Sequence, residues 1–301
     1  MKRNRSSREG PSGRLSAAAL AALLFCAFAA SGEDIPAAGA YSGGSLPDMP
    51  FLLLQIQADV QGSLNDLEAA VADASAELSA PGPGGDAARE VLRRLLDANP
   101  DLIEAVTFDI DGRIVVAECD ACQGAEGAEG ADIGGQEHIA HVLNSRNPTF
   151  SGEFLLVEGY AGTAIAYPVF NEDGDLLGGI SAIIKPEDLI GGLVAENLQF
   201  DVSTRSQITD YSFWAMDPDG LILYDRDESQ IGKRLFEDPL YQPFPSLLEL
   251  GERIAAERAG HGYYSFQVAE GDETVVTKES YWTTAGLRGR DWRLVVTRIA
   301  E

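Results

Sequence analysis

The sequence predicts an α+β protein: a long N-terminal helix, then two modules, each an antiparallel sheet of about five strands with flanking helices. Three observations carry this. An apolar run, an Asp-x-Asp-Gly turn and a second apolar run occur twice, as TFDIDGRIVVAEC (Thr107–Cys119) and AMDPDGLILYDRD (Ala215–Asp227). Asp bonds its own backbone and Gly accepts positive φ, so each copy reads as strand, tight turn, strand. The copies lie about a hundred residues apart, too far for a solenoid and right for two tandem modules. Ahead of both, Leu53, Ile56, Val60, Leu64, Leu67 and Val71 recur at helical spacing over Asp48–Leu78.

The elements follow in order. APGPGGD (Ala80–Asp86) breaks the long helix, and a second helix, Ala87–Ala98, stops at Asn99-Pro100. The strands LIEAVTFDI and GRIVVAEC come next, then a Gly- and acid-rich loop, Gln123–Gly135, and a helix near Gln136–Asn144. EFLLVEGY and GTAIAYPVF read as a hairpin with Gly159 and Gly162 at its turn; DLLGGISAII is a further strand, and Lys185-Pro186-Glu187 opens a helix of about a dozen residues. The second half repeats the plan. YSFWAMD and LILYDRD form a hairpin, Ile231–Leu240 and Pro245–Glu257 are helical, and GYYSFQVA, TVVTKESYW and DWRLVVTRI are strands. The expected organisation is a leader at 1–30, a flexible linker at 31–47, the long helix with the first module at 48–200, and the second module at 201–301.

The amino terminus gives the compartment. Lys2, Arg3, Arg5, Arg8 and Arg14 precede the apolar run Leu15–Ala30, which ends in the small residues around Ala27-Phe28-Ala29. That order is a secretory signal, and the run falls short of the roughly 20 residues that span a bilayer. An uncleaved anchor is the competing reading. Residues 1–30 hold five basic residues and one acidic one, so the remainder has 17 Lys plus Arg against 47 Asp plus Glu, a net charge near −30. Such a surface repels nucleic acid and anionic lipid. A secreted or cell-surface protein is expected, with no second span before Glu301.

Four segments resemble the double Cache family of extracellular sensor domains: Asp132–Leu143 (DIGGQEHIAHVL), Ala164–Ile184 (AIAYPVFNEDGDLLGGISAII), Phe213–Phe236 (FWAMDPDGLILYDRDESQIGKRLF) and Gly289–Ile299 (GRDWRLVVTRI). The resemblance covers about residues 50–301. It implies two PAS-like modules on a long helix, small-molecule binding in the first and no catalysis. Most such domains are tethered receptors with an output domain across the membrane; this chain resembles a free or singly anchored binding component that passes ligand occupancy to a partner, a membrane receptor or transporter. Amino-acid-binding members have an Asp soon after the Gly-x-x strand. Here GISAIIK (Gly179–Lys185) puts Ile183 near that position, so an ammonium would stay unpaired and a carboxylate or neutral ligand is favoured over an amino acid.

The expected ligand-binding residues are His138, Arg146, Ser151, Tyr160 and Tyr167, with Ile165, Val169, Ile180 and Ile183 as the apolar wall. His138 and His141 lie three apart on one predicted helix, so they share a face. Arg146 either meets an anionic ligand or complements the helix C-terminus. Tyr167 alternates with Ile165 and Val169 and is otherwise core. In the second module Tyr241, His261, Tyr263, Lys278 and Tyr281 form a comparable set, while Trp214, Trp282 and Trp292 read as core.

Cys119 and Cys122 form a disulfide, stay free as a thiol pair, or join His138 and His141 around zinc, although that His spacing is shorter than usual. No cofactor or bound metal is expected. The sequence has no Gly-x-Ser-x-Gly elbow, phosphate loop or His-Glu-x-x-His, so a hydrolase is a distant alternative, as is a surface protein without a ligand.

Overall fold

The computed structural model describes residues 48–119, 128–156, 159–199, 211–267 and 274–300. The chain divides into two units, Met1–Gly44 and Ser45–Glu301, and the described residues lie in the second. The predicted leader and linker therefore fall outside the described residues, as do Cys122 and part of the acidic loop.

The long helix α1 spans Met49–Glu77, about 44 Å at the standard rise. Every residue of the predicted stripe is buried, from Leu53 to Val71. One apolar cluster joins α1 to both sheets, taking in Ile165, Val169 and Ile180 of the first and Phe213, Leu294 and Val296 of the second. Polar bonds fix the helix at its middle and at its C-terminal end. Ser75 and Ser79 donate to the carbonyls of Pro168 and Phe170, while Gln61 exchanges two hydrogen bonds with the Gly286 backbone. Helix α2 (Gly85–Ala98) covers the first sheet with Ala88, Val91, Leu92, Leu95 and Leu96.

The first sheet holds β1 (Leu102–Asp109), β2 (Ile114–Cys119), β3 (Thr149–Phe150), β4 (Phe154–Leu155), β5 (Ala161–Phe170) and β6 (Leu176–Ile184). Its order is β2-β1-β6-β5-β3, with β4 also pairing β5. Helix α3 (Glu137–Ser145) lies in the crossing from β2 to β3, and α4 (Pro186–Gln199) leaves the module. The second sheet runs β8-β7-β11-β10-β9, built from β7 (Tyr211–Met216), β8 (Ile222–Asp225), β9 (Gly260–Gln267), β10 (Val275–Leu287) and β11 (Arg290–Ile299). Helix α5 (Pro245–Ala256) packs on the face opposite α1.

The repeated turn has the same chemistry in both modules. The Asp109 carboxylate accepts from the backbone N–H of Asp111 (3.0 Å) and Arg113 (2.9 Å), and Gly112 sits at φ +77°. Asp217 accepts from Asp219 and Leu221, both at 2.9 Å, and Gly220 sits at φ +86°.

One predicted element is corrected. Residues 231–240 are not helical. Gly232 at φ +79° turns the chain back, and the segment runs beside β8: Ile222 N–H donates to Lys233, Gly232 N–H to Ile222 and Leu235 N–H to Gly220. These bonds use the groups that a helix would need.

Candidate functional site

The face of the first sheet turned away from α1 carries a cavity of about 30 Å³. Glu104 and Val106 of β1, with Ser181 and Ile183 of β6, form its floor; His138 of α3, Phe154 of β4 and Leu156 close it. The Glu104 carboxylate is buried and accepts the Tyr160 hydroxyl at 2.8 Å. The Lys185 ammonium stands 4.9 Å from the Tyr160 ring centre. The Ser181 hydroxyl is buried and meets no partner among the described residues. His138 is buried against Phe154, ring centres 4.7 Å apart, and burial lowers its pKa to about 4. The imidazole is therefore neutral at pH 7 and can donate one hydrogen bond and accept another.

Of the five expected ligand-binding residues, the structure gathers two here: His138 in the wall and Tyr160 through Glu104. Ser151 is buried, but its hydroxyl is used, donating to the Gly152 carbonyl and accepting from Ala164 N–H. Arg146 is exposed at the left-handed C-cap of α3, φ +58°, away from the cavity lining. Tyr167 faces the other way. Its hydroxyl donates to Glu68 of α1 at 3.0 Å and accepts from Arg288 at 2.7 Å. Strand parity is the cause, since side chains alternate between faces. Ile165, Val169 and Ile180 accordingly pack beneath α1, and of the expected wall only Ile183 reaches the cavity.

Glu104 is the residue that sequence reasoning missed. It pairs across the strands with Ile183, so a carboxylate stands one strand over from the position where the family pattern would place one. The signal was a lone acid inside the apolar strand LIEAVTFD.

The zinc reading is overturned. Cys119 is disulfide-bonded, which removes its thiolate as a ligand, and His141 is exposed while His138 is buried. Among the described residues no group of three or more His, Cys, Asp or Glu is placed to hold a metal. In the second module, His261 (3.0 Å) and Tyr263 (3.3 Å) meet one oxygen of Glu279, and Arg298 meets the other at 2.7 Å. Tyr281 stacks on His261; Tyr241 lies apart in the core beside α5, and Trp214, Trp282 and Trp292 are all buried.

Residues 62–186 match the family model described as HK/GC/chemotaxis protein-like, sensor domain. This stretch is similar to the sensor domains of that family. Solved structures agree in fold with this stretch and the module that follows it. An extracellular ligand-binding receptor from Desulfohalobium retbaense DSM5692 is 26% identical, with a TM-score of 0.68 over 84% of this chain; the match spans 41% of that receptor chain. The ligand-binding domain of the Pseudomonas aeruginosa PAO1 amino acid chemoreceptor PctB, in complex with L-Arg, is 14% identical, with a TM-score of 0.57 over 83% of this chain and 93% of its own. That of the Pseudomonas fluorescens chemoreceptor CtaA, in complex with L-serine, is 16% identical, with a TM-score of 0.57 over 83% and 95%. At those identities the last two speak for the fold alone. No curated protein sequence matches the chain. Among the described residues, no helix is long and apolar enough to cross a membrane.

Proposed function

We propose that this chain is an extracytoplasmic small-molecule sensor that takes its ligand in the first-module cavity and passes occupancy along α1 to a partner protein. The modules divide at about residue 200, and residues 1–30 act as a cleaved leader followed by a linker at 31–47. Intact mass of the exported protein tests the leader: loss of Met1 through Ala29 or Ala30 is expected, and retention of the segment removes the proposal.

The observation that carries the ligand-binding reading is the buried Glu104 carboxylate beside the Ser181 hydroxyl in a partly apolar cavity. A few convergent polar groups on an apolar wall are what a small-molecule site needs. A surface protein without a ligand gives no reason for them.

The ligand class follows from charge. The expectation of a carboxylate or neutral ligand came from Ile183 in place of an acid, with Arg146 as the partner of an anion; Arg146 is exposed and outside the cavity lining. Glu104 in the wall favours a neutral molecule or an amine that presents a donor to it, and repels an anion. It also weakens the case against an ammonium drawn from Ile183, since Glu104 stands opposite that residue.

A thermal-shift screen of small amines, polyols and carboxylates tests this. A ligand at 100 times its Kd raises stability by about 2.7 kcal/mol. Glu104→Gln keeps the shape and removes the charge, so it should weaken an amine ligand at least tenfold. Stabilisation by carboxylates alone would overturn the assignment of Glu104.

A further inference from the structure

We propose that the second module carries a binding site of its own, on the sheet face opposite α1, for a small carboxylic acid bearing a hydroxyl or amino group beside the carboxylate. The juxtaposition that points to it is Asp225 of β8, Trp214 of β7, and Ser280 and Lys278 of β10, on one face of the sheet.

Register puts them on one face. Trp214 of β7 pairs with Asp225 of β8, and Lys278 of β10 pairs with Tyr264 of β9. Directly opposed residues project to the same side of a sheet. Trp214, Tyr264 and Phe266 belong to the apolar cluster beside α5, so that side is the one away from α1. Ser280 lies two residues from Trp282 of the same cluster, and the Lys278 ammonium stands 5.4 Å from the Phe266 ring centre. The Glu279, His261 and Tyr263 group occupies the alternate positions on the other face.

The groups are not satisfied by one another. The hydroxyl of Ser280 is fully buried and meets no partner among the described residues; the buried indole N–H of Trp214 faces the Tyr264 phenol without closing a full hydrogen bond to it. Asp225 accepts from the Asp227 N–H at 2.8 Å through one oxygen; no hydrogen bond to the other is made among the described residues. Asp225 and Lys278 feel each other's charge yet close no ion pair. Burial raises the Asp225 carboxyl to about 7 and lowers the Lys278 ammonium. Tyr264 is raised by burial and then by the Asp225 charge, which sets that carboxylate close to the phenol.

A packed core pairs its buried donors or replaces them with apolar groups. Here two buried donors and a cation share one face with an acceptor: Trp214 stands beside Asp225, and Ser280 and Lys278 lie two strands over on β10. A ligand carboxylate would take Lys278, Trp214 N–H and Ser280 O–H, and an adjacent hydroxyl or ammonium would donate to the free Asp225 oxygen. The inference is independent of the first-module reading.

Calorimetric titration of the full chain with three four-carbon acids tests it: 2-hydroxybutyrate, 2-aminobutyrate and butyrate, which differ only at carbon 2. Saturable binding of one of the first two, at least tenfold tighter than butyrate, is expected, and which one binds tells hydroxyl from amine. Asp225→Asn and Lys278→Met should each weaken it at least tenfold, while Glu104→Gln leaves it unchanged. Trp214→Phe and Ser280→Ala remove groups that close no full hydrogen bond, so they should fold and still lose affinity. No saturable binding, or binding untouched by these two variants, overturns the second site. Loss in Glu104→Gln alone assigns the heat to the first module and overturns it as well.

Discussion

His138 is neutral in the fold because burial makes its charged form costly, with a pKa of about 4 against 6.5 when solvated. The consequence has a definite sign. Between pH 6.5 and pH 4 the unfolded chain takes a proton that the folded chain refuses, so this residue's contribution is complete above 6.5 and lost as pH falls towards 4. The difference in pKa corresponds to on the order of 3 kcal/mol. Glu153 and Asp225 act in the opposite sense. Burial raises both carboxyls to about 7, Glu153 further through Glu187 and Asp217, so the fold gains stability from them as pH falls from 7 towards their unfolded values. The whole-protein pH profile is then a sum of opposed slopes, and a variant is needed to separate them. Urea unfolding of wild type and His138→Gln at pH 7.5, 6, 5 and 4 should show the wild-type advantage shrinking below pH 6.5. A difference constant with pH would show that His138 titrates normally in the fold.

At the scale of elements, what was legible depended on whether one face meets water. The stripe of α1 has an exposed opposite side, with Phe51 and Leu54 exposed beside buried Leu52 and Leu53, and its period located both the helix and its inner face. The Asp-x-Asp-Gly turns were legible because the turn chemistry is local. Strand β5 is covered on both faces, so alternation in the sequence locates the strand without saying which face meets α1. That is why Tyr167, Ile165 and Val169 lie on the α1 side of the sheet while His138 lines the cavity and Tyr160 meets it through Glu104. Glycines hold the same sheet together by close approach. Gly178 has φ +142°, and a Cβ there would stand 1.9 Å from the Phe108 carbonyl oxygen. Gly178→Ala must push β6 off β1 and should cost at least about 2 kcal/mol by urea unfolding. Gly192 in α4 has open space at the same position, and Gly192→Ala should stabilise by about 0.5–1 kcal/mol. Equal effects at the two sites would show that the β1–β6 contact is looser than its geometry.

At the scale of the whole molecule, charge opposes the packing. The chain carries 48 Asp plus Glu against 22 Lys plus Arg, a net charge of −26. Most of its arginines in ion pairs already sit on carboxylates: Arg89 on Glu118 and Glu129, Arg298 on Glu279, Arg288 on Glu68. The remaining acids have few cations to meet, and their mutual repulsion works against the compact state. Salt acts on both effects with opposite sign. It weakens exposed ion pairs, each worth roughly 0–1 kcal/mol, and it screens the repulsion among the unpaired excess, whose reach shrinks to about 10 Å at 0.1 M. Acids outnumber bases by more than two to one, so the repulsive sum is the larger. The thermal midpoint should rise by several degrees between 20 mM and 500 mM NaCl, and Glu→Gln changes at unpaired acids should raise it at low salt only. A midpoint that falls with salt would mean that the ion pairs bridging α1, β10 and β11 outweigh the repulsion. Arg288 ties Glu68 of α1 to Tyr167 of the first sheet, so Arg288→Ala would then reproduce part of that fall.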